Sequence, residues 1–186
     1  MYGNFFYQNP SEVLFQGEGH IAFYNNLLVN DVGSALNVQK HNDKPRRIDI
    51  FQNTIVARNT GIKVRHAATD YVQRVVANAV FASTPLRLDP LIQNQDNFLG
   101  TYRAALSSLK GPQNGPGELD LFPKSAKLRG PPIDMSSFAR FEDWNRDFDG
   151  VPRSATYRGA YEGKSGGAAW SPKLEQKPLP SNMPVR

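Results

Sequence analysis

An asparagine followed by apolar residues returns five times in this chain: Asn4-Phe5-Phe6-Tyr7, Asn26-Leu27-Leu28-Val29, Asn53-Thr54-Ile55-Val56, Asn78-Ala79-Val80-Phe81 and Asn97-Phe98-Leu99-Gly100. The starts lie 22, 27, 25 and 19 residues apart. Three positions before the asparagine stand Phe23, Ile50 and Val75, and two after it Phe6, Leu28, Ile55, Val80 and Leu99. A second apolar pair follows in each unit: Val13/Phe15, Leu36/Val38, Ile62/Val64 and Leu86/Leu88. Short period-two runs of this kind are strand signals. Units this small cannot hide their own apolar faces and bury them by stacking, coil on coil.

The recurring asparagine has two physical uses. It tolerates the left-handed backbone region that a sharp turn needs. Stacked on its neighbours, its side-chain amide also bonds to the amides above and below, as in the ladders of stacked parallel strands. The competing reading is a set of unrelated turns in a β-sandwich.

The repeat predicts an all-β parallel solenoid of about four coils. Residues 1–19 read as a partial coil, 20–45, 46–70 and 71–90 as full ones, and 91–100 as a degenerate last one. The segments 21–25, 48–52 and 72–76 are expected side by side in one parallel sheet. Residues 101–162 read as an irregular carboxyl-terminal cap, with a short helix over 101–110 and extended pieces at Leu119–Pro123 and Ala126–Gly130. Phe138, Phe141 and Trp144 are expected to cover the last coil. Residues 163–186, rich in Gly, Lys, Pro and Ser, read as a flexible tail.

Fourteen prolines and fifteen glycines among 186 residues favour turn-rich β structure, and the absence of cysteine excludes disulfides and thiolate metal sites. The formal charge of +5 attracts polyanions in general. The basic residues are scattered without a run, so neither nucleic acid nor a membrane surface is singled out. No stretch is long enough to span a bilayer. The opening Met1–Asn4 lacks the basic start and apolar run of a signal peptide. The first coil begins about halfway round, which predicts either a fragment of a longer solenoid or self-association through that edge.

The units 20–41 (HIAFYNNLLVNDVGSALNVQKH) and 48–65 (IDIFQNTIVARNTGIKVR) resemble coils of the right-handed parallel β-helix proteins, the pectate-lyase-like repeat proteins of secreted bacterial carbohydrate metabolism. Asp147-Phe148-Asp149-Gly150-Val151-Pro152-Arg153, followed by Gly159-Ala160-Tyr161-Glu162, is similar to the closing signature of many such chains. The resemblance covers residues 1–100 and 134–162. It implies the carboxyl-terminal part of a secreted or cell-surface carbohydrate-active protein, polysaccharide lyase-like or glycan-binding, with an acidic polysaccharide as partner and calcium as a family cofactor. A non-catalytic structural or adhesive solenoid is the alternative.

Stacking register brings a set of candidate residues to one face. With Phe15, Val38, Val64 and Leu88 aligned, the residues just beyond them lie above one another. Lys40, His41, Arg65 and His66 are then the catalytic candidates, with Glu18, Asp43 and Asp70 beside them for substrate binding. In the resembling enzymes, β-elimination needs the sugar carboxylate neutralised and its α-proton removed. Lys40 and Arg65 suit the first task and His41 or His66 the second. A solvated edge where loops leave the sheet is the simpler reading. The sequence holds no acidic set on adjacent coils for calcium and no aspartate pair for glycoside hydrolysis. Asn145-x-Asp147-x-Asp149-Gly150 matches the first half of a calcium loop, but Thr156 stands where the bidentate glutamate belongs and Pro152 interrupts, so a tight turn with Asx hydrogen bonds is expected. Phosphate-loop, zincin and nucleophile-elbow motifs are absent.

Overall fold

A computed structural model describes residues 1–164 and 167–178. In chain order its strands are β1 (Phe5–Tyr7), β2 (Phe15–Gly17), β3 (Ile21–Tyr24), β4 (Leu27–Asn30), β5 (Leu36–Val38), β6 (Ile48–Phe51), β7 (Thr54–Val64), β8 (Gln73–Val76), β9 (Ala79–Leu88), β10 (Gln93–Gln95), β11 (Phe98–Gly100), β12 (Leu109–Gly111) and β13 (Asp120–Pro123). All pairings among β1–β11 are parallel, and only β12–β13 is antiparallel.

The chain winds as a β-solenoid with three faces per turn. One face is the sheet β3-β6-β8-β10. A second, bent sheet supplies the other two. Its first arm is β1-β4-β7-β9-β11, and its second is β2-β5 continued by the far halves of β7 and β9. The strands at 21–24, 48–51 and 73–76 lie side by side, in the register the repeat predicts. There are three complete turns with partial turns at both ends, slightly fewer than the expected four, because residues 1–19 and 91–100 each lack one face.

Period-two alternation puts one residue set inside. Phe23, Ile50 and Val75 from the first sheet meet Leu28, Ile55 and Val80 from the first arm and Leu36, Val38, Ile62 and Val64 from the second. This interior is apolar, apart from groups that bond internally. The buried Gln73 amide, for example, donates to the carbonyls of Arg46 (2.6 Å) and Ala68 (2.9 Å).

The asparagine ladder is continuous. Each side-chain amide donates to the Oδ1 of the next rung: Asn4 to Asn26 (3.2 Å), Asn26 to Asn53 (3.0 Å), Asn53 to Asn78 (2.9 Å) and Asn78 to Asn97 (2.9 Å). The same oxygens accept the backbone N–H of the preceding rung. The left-handed backbone, however, belongs to the residue before each rung and not to the asparagine itself: Gly3, Asn25, Gln52, Ala77 and Asp96 have φ of 51–68°. The turn thus divides its needs, one residue supplying the bend and the next the buried amide.

Among its described residues the carboxyl-terminal segment does not cap the last coil. It lies along the outside. On the first sheet, the outward Tyr24, Phe51 and Val76 are covered by Ile133, Met135 and Phe138, with Phe141 and Trp144 packed against them. Tyr2, Tyr24, Phe51 and Phe138 form one stack, with ring centroids 4.9, 4.5 and 4.2 Å apart. On the first arm, Leu27, Val29, Val56, Ala79 and Phe81 are covered by residues from Tyr102 to Leu128 and by Phe148, Tyr157, Ala160 and Tyr161. Of the local expectations, a short helix does form at Ala105–Ser108 and a strand at Asp120–Pro123, whereas Ala126–Gly130 is a turn ending in an isolated bridge.

The two halves of the closing signature clasp each other. The Asp147 carboxylate accepts from the amides of Asp149, Val151 and Glu162, and the Phe148 amide donates to the Ala160 carbonyl at 2.7 Å. Arg153 donates to the carbonyls of Gly159 and Ala160 and to Asn25 of the solenoid. Burial lowers its guanidinium to about 10, which leaves it charged at neutral pH. Gly159 (φ +89°) sits against the sheet, where an added Cβ would come within 2.6 Å of Thr54 Oγ1. Within the segment read as a tail, residues 167–178 rest on this layer. Trp170 packs beside Phe148, the Ala169 amide donates to Asp149 at 2.7 Å, and the Lys177 ammonium stands over the Phe148 ring and donates to the Phe148 carbonyl. The rest of that reading, at 165–166 and 179–186, lies outside the described residues.

Candidate functional site

Two of the three outer faces are covered, and among the described residues the second arm is bare. Its outward residues in register are Gln16, Asn37, Lys63 and Arg87. Gln16 and Arg87 are exposed, and Asn37 keeps a buried Oδ1 with no partner among the described residues. Burial lowers the Lys63 ammonium, and the neighbouring Arg65 and Arg87 charges lower it further. Three cations therefore crowd this face.

The next residues along continue the columns, because Gln39, Arg65 and Asp89 each donate their backbone amide to the coil before: to Gly17 (3.2 Å), Val38 (2.9 Å) and Val64 (3.1 Å). The chain then leaves the sheet. At that corner a depression of about 420 Å³ is lined by Lys40, His41, Lys44, His66 and Ala67. A second, of about 340 Å³, is lined by Gln16, Gly17, Glu18, Gln39 and His41. They meet at His41. His66 reaches its place through a left-handed backbone (φ 60°), and the Ala67 amide after it is pinned by Asp89 Oδ2 at 3.1 Å. At the same corner the exposed rings of His20 and Tyr71 meet edge to face, 5.4 Å apart.

Of the seven residues the sequence singles out, Lys40, His41 and His66 come together in the first depression. Arg65 stands beside them in the column of cations and does not line it. Glu18 and Asp43 are engaged in holding the loop. Glu18 Oε2 accepts the consecutive amides of His41 (2.9 Å), Asn42 (2.8 Å) and Asp43 (3.0 Å). Asp43 caps the Lys44 amide at 2.8 Å and pairs with Arg46 at 2.8 Å. Asp70 is exposed and lines neither depression. Lys44, Lys63 and Arg87 are additions that sequence reasoning missed. Strand register alone identifies the last two.

The Glu18 anchor has a testable pH signature. The amides of Asp43, Asn42 and His41 hold the carboxyl below its ordinary 4.5. A depressed carboxyl stabilises the fold above its unfolded value and loses that contribution as pH falls through the lowered one. Amide protection factors at Asn42 and Asp43 are expected to be constant near neutrality and to drop only below pH 4.5, and in Glu18→Gln to be low throughout. Protection that survives in Glu18→Gln would show that the loop holds its shape without the charge.

The Asn145–Gly150 segment does not fit a calcium loop, since both Asp147 oxygens already accept backbone amides and Gly150 closes a tight turn. Among the described residues no group of three or more His, Asp or Glu side chains is placed to hold a metal ion. No helix among them is long and apolar enough to cross a membrane. No protein-family model, curated protein or solved structure matches the chain.

Proposed function

We infer that this solenoid binds an acidic polysaccharide along its bare face, as part of a secreted or cell-surface carbohydrate-active β-helix protein. The observation that carries the reading is the balance of charge on that face. Lys63, Arg65 and Arg87 on the strands lead to Lys40, His41, Lys44 and His66 at the corner, while the nearby acids are fewer and engaged: Glu18, Asp43 and Asp89 accept backbone amides, and Asp43 also pairs with Arg46. Carboxylates or sulfates spaced along a polymer pair with such a column, and the sugar rings have the exposed Tyr71 to rest on. In a lyase variant of this reading, Lys40 and Arg65 hold the uronate carboxylate and His41 or His66 removes the proton beside it.

The test is binding and turnover on acidic and neutral polysaccharides, with and without calcium. An acidic polymer is expected to bind with an affinity that falls steeply with salt. Lys63→Glu is expected to weaken it about tenfold or more, a change of ~1.4 kcal/mol. Release of unsaturated sugar that disappears in Lys40→Ala or Arg65→Ala identifies β-elimination, and binding without turnover identifies a recognition module. Equal affinity for neutral and acidic polymers, or none for either, overturns the reading.

A further inference from the structure

The loop that follows β5 is closed around an anion supplied by the coil before it. The backbone amides of His41, Asn42 and Asp43 converge on Glu18 Oε2, at 2.9, 2.8 and 3.0 Å. Consecutive amides aimed at one oxygen form a nest, a concavity of positive dipole ends that takes an anion.

Three observations distinguish this contact from a purely structural cap. First, backbone alone holds the carboxylate. Among the described residues no lysine, arginine or histidine pairs with Glu18, although Lys40, His41 and Lys44 stand around the loop. Second, the nest lies in the open. Lys40, His41, Asn42 and Lys44 are exposed, and Glu18 itself lines the smaller depression. Third, the chain on both sides is tethered without the carboxylate. The Gln39 amide donates to the Gly17 carbonyl at 3.2 Å, that of Arg46 to Gly19 at 2.7 Å, and that of Ala68 to Pro45 at 2.8 Å. The Glu18 side chain is therefore free to swing out while both coils keep their places.

An oxyanion that takes the place of Glu18 accepts the same three amides and meets more positive charge. Lys40 and Lys44 line the larger depression, and among the described residues neither ammonium has a carboxylate partner. Glu18 competes with such a ligand as an anion already in position. The apparent affinity is then the intrinsic one reduced by the fraction of molecules whose nest is vacant.

We propose that the His41–Asp43 nest is the carboxylate- or sulfate-binding subsite of the bare face, that Lys40 and Lys44 complete it, and that Glu18 is its built-in competitor, displaced by the acidic polymer. For the polymer this rests on the polysaccharide reading above, and for the anion on the nest alone.

Glu18→Gln removes the competing charge and keeps a side chain of the same size. Both proteins are titrated at neutral pH with inorganic sulfate and with oligogalacturonate, and the amide resonances of His41, Asn42 and Asp43 are followed. Circular dichroism checks that the variant keeps its fold. Glu18→Gln is expected to bind either probe about tenfold more tightly, the gain for a nest vacant in about a tenth of unaltered molecules. Those three amides are expected to move most, and Lys40→Ala with Lys44→Ala is expected to reverse the gain. Asp70→Asn removes an equal charge from an exposed residue that lines neither depression, and is expected to gain little. An equal gain in Asp70→Asn, no gain in Glu18→Gln, or binding that leaves the three amides unmoved overturns the proposal and makes Glu18 a cap only. Sulfate in the nest with no polymer bound by either protein supports the anion site and overturns the polysaccharide reading. Polymer bound with the nest amides unmoved does the reverse.

Discussion

Replacing Asn53 by alanine is expected to remove ~2–5 kcal/mol of stability, a large part of the 5–15 kcal/mol available to an ordinary domain. Asn53 is fully buried at the centre of the ladder. Its Oδ1 accepts both the backbone N–H and the side-chain amide of Asn26, and its Nδ2 donates to Asn78 Oδ1 and to the carbonyls of Phe23 (2.9 Å) and Phe51 (3.1 Å). Alanine removes the acceptor of the buried Asn26 backbone N–H and the side-chain donor to the Phe23 carbonyl, while Asn78 Oδ1 keeps the backbone N–H of residue 53 and the Phe51 carbonyl keeps that of Asn25; each group left stranded costs about 1–3 kcal/mol. Asn4, at the exposed end, donates only to Tyr2 and Asn26. Asn4→Ala is therefore expected to cost about 1 kcal/mol or less. Urea unfolding midpoints of the two variants decide the matter, and equal losses would mean that the ladder is decoration on a fold held by packing alone.

Asp49→Asn is expected to cost ~2–4 kcal/mol. The Asp49 carboxylate is fully buried on the outward side of β6, and three guanidiniums converge on it: Arg47 at 3.3 Å, Arg74 at 3.2 Å, and Arg140 from the outer layer. Removing the one anion leaves three like charges around a neutral amide. The loss stays below that of a sealed ion pair, because Arg47 and Arg140 are 44% and 39% exposed and turn toward water. Adding Arg140→Leu to Asp49→Asn is expected to recover part of the loss, a coupling that a double-mutant cycle measures. Independent, additive losses would show that Arg140 does not fasten the outer layer through this carboxylate.

The winding was legible because its cause is local: period-two strands, a turn and a buried amide recur within each unit. The left-handed position was misassigned to the asparagine because the residues that hold it, Gly3, Asn25, Gln52, Ala77 and Asp96, share a conformation and no side-chain type. The outer layer was misplaced for a different reason. Phe138, Phe141 and Trp144 carry no address, and a coil end and a sheet flank are equally apolar targets. The clue lay in the strands themselves. Leu27-Leu28-Val29 is apolar on both faces, and Ile48-Asp49-Ile50-Phe51 carries Phe51 on its outer one, the mark of a sheet covered on both sides. At the site, register brought Lys40, His41 and His66 together on paper. The roles of Glu18 and Asp43 were not legible, since a carboxylate that caps a loop and one that faces a ligand look alike in sequence.

The outer layer reaches several coils at separate points. Arg153 donates to Asn25, Arg140 to Asp49, the amide of Ala160 to Thr54, that of Gly159 to Ala77, and Arg158 to Asp96. A bare solenoid is a row of nearest-neighbour units that frays from its ends. Here the segment works as a gauge laid across the row. Its contact points are spaced for this number of windings, so a duplicated or deleted coil between Asn25 and Asp96 would put every later contact out of step. Gain or loss of whole coils, an easy change for most repeat proteins, is closed to this one unless the gauge changes length with it.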